Sequence, residues 1–391
     1  MKLVFVSNYY NHHQSALSES FYKLTNGSYY FIETAPIEEE RTKMGWGQKE
    51  LPDYVKKSYI SDNNRVECQN MIDTADVVIY GSAPEEMIKN RLTQGKLTFK
   101  YSERMYKGGF KWYEQPLRFI KNYRRGWCKK NYYLLCASAY SYADFQKTFN
   151  FTDRAFKWGY FPAVKNYNIE ELVNDKDAAL ILWTARFIDW KHPEIPVLIA
   201  EKLKKAGYHF KLNLIGNGVM ESEIAEMIKN KNLDDCVFML GAMKPEEVRR
   251  HMEKSQIFLF TSDFNEGWGA VLNESMNSGC AVVASHAIGS VPYLIDNGEN
   301  GLIYKNGDID DLYNKVKFLL DNPERCKELG VNAYKTLTST WNAELAAERF
   351  LNLATKLLNN EDVNALYSDG PCSKSEILKN NWRKYNWGIR K

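Results

Sequence analysis

The sequence predicts an α/β protein of two Rossmann-like domains, each built on a parallel sheet. Three observations carry this expectation. The chain is 391 residues long, too long for one ordinary domain and natural for two of about 150 to 200 residues. Short β-branched or aromatic runs recur between polar helical stretches, which implies right-handed crossovers and mostly parallel pairing. The runs also fall into two series with a polar segment between them.

The first series is Leu3 to Ser7, Tyr29 to Glu33, Val77 to Gly81, Leu97 to Tyr101 and Tyr132 to Ala137. The second follows Tyr160-Phe161-Pro162 and comprises Ala179 to Thr184, Phe210 to Ile215, Val237 to Leu240, Ile257 to Thr261, Ala281 to Ser285 and Gly301 to Tyr304. These later runs are nearly continuous in apolar residues, as strands covered on both faces are. Ala163 to Lys176, polar and rich in Asn and acidic residues, is expected to be the interdomain linker. Pro36 to Tyr59 lacks a clear period and is expected as a long loop, or a loop with one short helix. Asp310 to Leu320, Pro323 to Leu337 and Asn342 to Leu358 carry apolar residues at three- and four-residue spacing, as amphipathic helices do. The expected organisation is an N-terminal domain over 1–165, a C-terminal domain over 166–358 and a tail over 359–391. That tail would be helical from Ser373 as far as Lys384 and would pack back on the N-terminal domain.

Composition narrows the class. Apolar residues make up 44% of the chain and charged residues 26%, which excludes disordered and collagen-like proteins. No run approaches the roughly 18 apolar residues of a membrane span, and Met1 to Asn8 reads as a first strand with no cleavage site behind it. Membrane contact is therefore expected to be peripheral, on the cytoplasmic face. The seven cysteines are scattered, with no Cys-x-x-Cys pair, so thiols in a reducing cytoplasm fit better than disulfides or a zinc site. Net charge is +3, yet Lys89 to Lys165 holds 17 Lys/Arg against 4 Asp/Glu. A basic N-terminal surface of this kind suits an anionic partner.

The chemistry concentrates between Thr261 and Ser285. A strand ends, Gly267 and Gly269 bracket Trp268, a helix begins near Ala270 and Val271, and Gly279 closes it before the next strand. Glycines there would let backbone N–H groups approach an anion while the new helix points its positive end at the same place. A diphosphate fits. Glu266 before the helix and Glu274 one turn inside it can border one pocket; solvated surface carboxylates are the plain alternative. Upstream, Arg186 and Lys191 follow the strand Ala179 to Thr184, at the strand end where open α/β sheets bind ligands. An Arg fork and a Lys point charge would stabilise a departing diphosphate as its charge grows. Gly216-Asn217-Gly218 is a second strand-to-helix turn, either phosphate-facing or purely structural. Asp308-Ile309-Asp310 looks like an acidic metal motif, but its place after Asn306-Gly307 and before a helix favours N-capping.

Taken in this order and spacing, Arg186 with Lys191, Gly216-Asn217-Gly218, Glu266-x7-Glu274, and Ala287 to Pro292 followed by Asn297 to Leu302 resemble glycosyltransferase family 4 over about 180–357. The resemblance implies the GT-B fold, with two Rossmann-like domains whose parallel sheets face across a cleft. It implies a retaining enzyme that needs no metal or other cofactor and uses a nucleotide-sugar, by family habit a UDP-sugar, as donor. In that family the position of Glu266 lies at the donor sugar, that of Glu274 at the ribose, and those of Arg186 and Lys191 at the diphosphate. This chain departs from the usual pattern at Ala185, Gly289-Ser290 and Pro292-Tyr293, changes that bear on donor choice more than on reaction type.

In the N-terminal half the usual glycine-rich loop is replaced by Asn8 to Gln14, and Tyr101-Ser102-Glu103-Arg104 stands where many members place a histidine. His12 and His13, together with Glu103 and Arg104, are therefore candidates for the acceptor side, with a structural role as the alternative. The acceptor hydroxyl would attack from the face the nucleotide leaves, and the departing phosphate would take its proton. A glycan or lipid-linked glycan acceptor, in bacterial cell-surface polysaccharide or lipopolysaccharide synthesis, is expected. Gln115 to Lys130 interleaves cations with aromatics, as would a segment meeting an anionic membrane or an ordinary helix with a charged outer face. No nucleic-acid reader motif accompanies the basic patch. Two rivals share the phosphate site: a nucleotide-sugar epimerase or hydrolase of similar architecture, and a catalytically silent nucleotide-sugar-binding protein.

Overall fold

A computed structural model describes residues 1–37, 50–107, 113, 115–124 and 129–381. The chain divides into two compact units: Met1–Ala163 with Trp341–Lys379, and Val164–Thr340 with Asn380 and Asn381.

Unit 1 holds seven strands: β1 Leu3–Ser7, β2 Tyr29–Glu33, β3 Val55–Lys57, β4 Val77–Tyr80, β5 Thr98–Ser102, β6 Tyr132–Cys136 and β7 Ala155–Lys157. They lie in the order β3-β2-β1-β4-β5-β6-β7, every pair parallel. Strand β1 is buried along its whole length, which explains its unbroken apolar run. The helix His12–Leu24 follows it and opens on a capping box: the Asn11 side chain accepts from His13 N at 2.9 Å, and the Gln14 side chain accepts from Asn11 N at 3.2 Å.

Unit 2 holds six strands: β8 Asp177–Thr184, β9 Lys211–Ile215, β10 Val237–Gly241, β11 Ser255–Phe260, β12 Ala281–Ser285 and β13 Leu302–Tyr304. Their order is β10-β9-β8-β11-β12-β13, again parallel throughout. Ile181, Trp183, Leu214, Ile257, Leu259 and Val283 form the middle of its core. The chain leaves β8 toward β9 on one side and β11 toward β12 on the other. The carboxyl ends of β8 and β11 are thus a topological switch point, where open sheets of this kind leave a crevice for ligands.

The structure corrects several expectations. Two strands were not foreseen. β3 lies inside the expected loop Pro36 to Tyr59, of which 38–49 falls outside the described residues, and β7 lies just before the expected linker. Each is three residues long at a sheet edge, too short to show a period. The linker is also shorter than expected: Ile169–Asn174 is a helix of unit 2 with Val173 buried. Lys176 is buried as well, its ammonium donating to Met252 O at 2.9 Å, Glu253 O at 3.1 Å and Ser278 O at 2.8 Å, the carbonyl-rich ends of two helices.

The third correction concerns the chain end. The helix Ala343–Leu358, expected to close the C-terminal domain, belongs to unit 1. Phe350 meets Phe21, Phe99 and Trp158 at ring-centroid distances of 5.4, 4.8 and 5.7 Å. The tail is not helical in its described part, 359–381; the rest of the expected helix, from Trp382, lies outside the described residues. Lys157 N donates to Ser373 O at 2.8 Å and Ser375 N to Ala155 O at 3.0 Å. The tail backbone thereby satisfies the open edge of β7, which a helix could not do. Asp308 does cap a helix, its carboxylate accepting from Asp311 N at 3.1 Å.

Candidate functional site

The candidate site in unit 2 is built from the two loops at the switch point. After β8, Phe187 turns inward, wholly buried and edge-on to Trp183 at 5.2 Å. Its neighbour Arg186 is turned out to solvent, with no ion pair or hydrogen bond to a described residue. The Gly216-Asn217-Gly218 turn fixes this loop from below: Phe187 N donates to Asn217 O at 2.7 Å. At Gly216, with φ +138°, an added Cβ would stand 1.9 Å from the carbonyl oxygen of Ala185. Glycine is required there by the close approach of two backbones. The turn thus seats the segment that carries Arg186.

The β8 loop continues through a 3-10 turn, Asp189–Lys191, to His192 at φ +54°. Three contacts tie it to the loop after β11. Thr261 Oγ1 accepts from Trp183 Nε1 at 2.8 Å and donates to Lys191 O at 2.8 Å; Asp263 N donates to Trp190 O at 3.1 Å. Across this junction Lys191 Nζ pairs with Glu266 Oε2, whose second donor is Ser262 Oγ at 3.0 Å. The side chains are 13% and 9% exposed, so solvent screens the pair little. The Lys191 ammonium also lies 4.3 Å from the Trp190 ring centroid, a cation–π contact that further fixes its place.

Beyond Glu266 the chain turns on Gly267, Trp268 and Gly269 into the helix Val271–Asn277. Trp268 is wholly buried and donates from Nε1 to Asn273 Oδ1 at 2.8 Å. It is therefore a strut of the turn. Gly269 has φ +83°, and a Cβ on it would meet the Phe260 ring at 2.4 Å. Among the described residues nothing accepts from the backbone N–H groups of Gly269, Ala270 or Val271, which leaves three donors side by side at a helix opening. Glu274 lies one turn on. Burial raises its carboxyl above the ordinary range, and the Arg249 guanidinium works against that shift. Arg249 itself donates to Glu274 O at 3.2 Å and Asn277 Oδ1 at 2.9 Å.

The structure thus gathers Arg186, Lys191, Glu266, Gly267, Trp268, Gly269, Ala270, Val271 and Glu274 on the two loops and the helix at the switch point of unit 2. The four N-terminal candidates belong to unit 1. His12 and His13 open the helix after β1 with ring centroids 3.9 Å apart. Glu103 pairs with Lys107 at 2.6 Å and accepts from Tyr160 Oη at 2.7 Å. Arg104 is buried against Asp144 at 3.3 Å and over the Tyr140 ring, a framework contact of unit 1.

Ser262, Thr261, His192 and Arg249 were missed. Lone Ser and Thr residues at a strand end carry no spacing signal, and Arg249 sits on a helix, Pro245–Lys254, with other charges around it. His192 directly follows Lys191, and that adjacency to a candidate could have flagged it. Its Nδ1 meets Glu194 Oε1 at 2.8 Å and its Nε2 stands 3.6 Å from Asp263 Oδ2.

Residues 164–336, nearly all of unit 2, match the family model of glycosyl transferases group 1. Unit 2 is a group 1 glycosyl transferase domain. The matched stretch contains every unit 2 residue of the candidate site. Among curated relatives, the chain is 27% identical over 191 residues to poly(ribitol-phosphate) alpha-N-acetylglucosaminyltransferase of Staphylococcus aureus, covering 49% of this chain and 36% of that protein. It is 32% identical over 133 residues to the amylovoran biosynthesis glycosyltransferase AmsK of Erwinia amylovora, covering 33% of this chain and 32% of the relative. The matches thus span only about a third of these relatives' own length. Anabaena HepE, solved in complex with UDP, superposes with a TM-score of 0.67 at 14% identity, covering 91% of this chain and 100% of that one. The fold, an α/β unit on a parallel sheet in each half of the chain, is that of GT-B glycosyltransferases.

Proposed function

We propose that this protein transfers a sugar from a nucleotide-sugar, a UDP-sugar, to a glycan or lipid-linked glycan acceptor in the synthesis of a bacterial cell-surface polymer. The observation that carries the reading is that one switch point holds the exposed Arg186 guanidinium, three backbone N–H groups with no acceptor among the described residues, and the Lys191–Glu266 pair. Such a cluster suits a diphosphate, which brings two negative groups and accepts from a planar fork and from backbone donors alike. The Staphylococcus relative, a poly(ribitol-phosphate) alpha-N-acetylglucosaminyltransferase, and the Erwinia relative, a glycosyltransferase of amylovoran biosynthesis, support the acceptor class. The UDP held by the Anabaena neighbour supports the base.

In this reading Arg186, Lys191 and the helix opening at Ala270 and Val271 stabilise charge as it grows on the leaving diphosphate. Glu266, held by Lys191 and Ser262, orients the donor sugar, and Glu274 holds the ribose. The acceptor hydroxyl attacks the anomeric carbon from the face the diphosphate leaves and gives its proton to the departing phosphate oxygen. Configuration is retained with no protein nucleophile and no metal. The test is a panel of nucleotide-sugars incubated with and without polyol-phosphate and lipid-linked glycan acceptors. The expected result is acceptor-dependent UDP release with an α-configured product. An altered sugar formed without acceptor would make the protein an epimerase or hydrolase, and binding without turnover would make it a silent binding protein; either contradicts the proposal.

A further inference from the structure

His192 carries a Cβ where the backbone favours glycine. It ends the 3-10 turn of the β8 loop at φ +54° and ψ +60°, a left-handed conformation that costs any residue with a side chain. Strain of this kind collects at functional positions.

The imidazole bridges the two loops of the site. Its Nδ1 meets Glu194 Oε1 at 2.8 Å, at the start of the helix Glu194–Lys205, and its Nε2 stands 3.6 Å from Asp263 Oδ2, on the loop after β11. The other Glu194 oxygen, Oε2, is buried and has no hydrogen-bond partner among the described residues. Asp189 on the same turn adds a third negative charge. Tyr304 of β13 borders Glu194, and burial pushes its hydroxyl up, so it stays neutral. Carboxylates only accept. A neutral imidazole bonded to Glu194 through Nδ1–H therefore turns a bare Nε2 lone pair toward Asp263, whereas the imidazolium donates toward both.

Both ends of this bridge lead to the charged pair of the site. Lys191 directly precedes His192, and Asp263 begins the turn to Glu266, whose N donates to Asp263 O at 3.1 Å. We propose that His192, as the imidazolium, is a positioning residue that draws the loops after β8 and β11 together and so keeps Lys191 and Glu266 in place for the nucleotide-sugar. The inference rests on the donor reading above and adds to it a group that acts through Lys191 and Glu266.

The experiment is calorimetric titration with UDP-glucose, whose diphosphate keeps its charge throughout, between about pH 5.5 and 8.5. It compares wild type, His192→Gln, His192→Arg and Asp263→Asn. The hydrogen bond to Glu194, with the charges of Glu194, Asp263 and Asp189, favours the charged imidazole against the opposing effect of burial. Wild-type binding should therefore weaken as pH rises through the folded pKa, by about threefold to tenfold, the scale of a partly screened ion pair. His192→Gln should bind at the weak level without that fall. His192→Arg, charged at every pH, should restore tight binding and also lack the fall, and Asp263→Asn should move the midpoint to lower pH. Protonation of Glu274 cannot mimic this, because it weakens binding toward acid, the opposite sign, and is common to all four proteins. The same slope in wild type and His192→Gln, or an unmoved midpoint in Asp263→Asn, would overturn the inference and leave the donor reading intact. Absence of UDP-glucose binding at every pH would overturn the donor reading, and the inference with it.

Discussion

Lys191 Nζ and Glu266 Oε2, 75 residues apart in sequence, meet at the junction of the loops leaving β8 and β11. Each loop therefore holds the other's charged residue in place. Replacing Lys191 with Ala would leave the Glu266 carboxylate buried with Ser262 as its one side-chain donor among the described residues. The expected cost is about 3 kcal/mol of stability, in the range for breaking one side of a buried pair. Glu266→Gln keeps an acceptor for Ser262 but strands the ammonium, and should cost less because Lys191 retains the Trp190 ring. Urea unfolding of both variants checks the order.

A Cβ at position 216 has to displace the Ala185 carbonyl, and Arg186 is the next residue. Gly216→Ala should therefore reduce UDP affinity by about tenfold or more, since displacements of this size at a positioning segment are costly. Gly298→Ala is the control, because nothing lies within 4 Å of an added Cβ there. It should lower stability by about 1 kcal/mol through backbone strain alone and leave UDP affinity intact. Calorimetric titration of both variants separates the two effects.

His192 supplies a pH dependence. Its hydrogen bond to Glu194, with the charges of Glu194, Asp263 and Asp189, holds the imidazole above its ordinary range against the opposing effect of burial. The folded pKa thus lies above the unfolded value of about 6.5. The stabilisation is complete below that value and is lost as pH rises through the folded pKa. Melting temperature should fall across that window in the wild type, and the fall should be shallower in His192→Gln. Equal slopes in the two proteins would show that His192 is not the group responsible.

Phe350 tests the assignment of the chain end to unit 1. Its ring fills a site between Phe21, Phe99 and Trp158. Phe350→Ala should destabilise unit 1 by about 3 to 5 kcal/mol, read as a lowered transition for unit 1 in calorimetry.

How far the sequence could be read follows from which interactions leave a local trace. The six strands of unit 2 were legible because strands covered on both faces spell unbroken apolar runs, and Val282 to Ala284 is such a run. β3 and β7 were not, because Val55-Lys56-Lys57 and Ala155-Phe156-Lys157 are too short to carry a pattern. Arg186, Lys191, Glu266 and Glu274 were legible as residue types beside strand ends and glycines. Their partners were not: that Lys191 meets Glu266 depends on the β8–β11 pairing, and that Trp268 turns inward to Asn273 leaves no spacing signal. The destination of Ala343–Leu358 was hidden for the same reason. Its amphipathic period shows that one face is buried and says nothing of which unit buries it.

Whether Arg186 and its neighbours hold a diphosphate is tested most directly by comparing UDP with uridine in wild type and Arg186→Ala. UDP should bind the wild type at least tenfold more tightly than uridine, a difference of about 1.4 kcal/mol or more, and the variant should lose most of that advantage while binding uridine as before. If Arg186→Ala binds UDP as tightly as the wild type does, Arg186 does not hold the diphosphate, which then lies elsewhere.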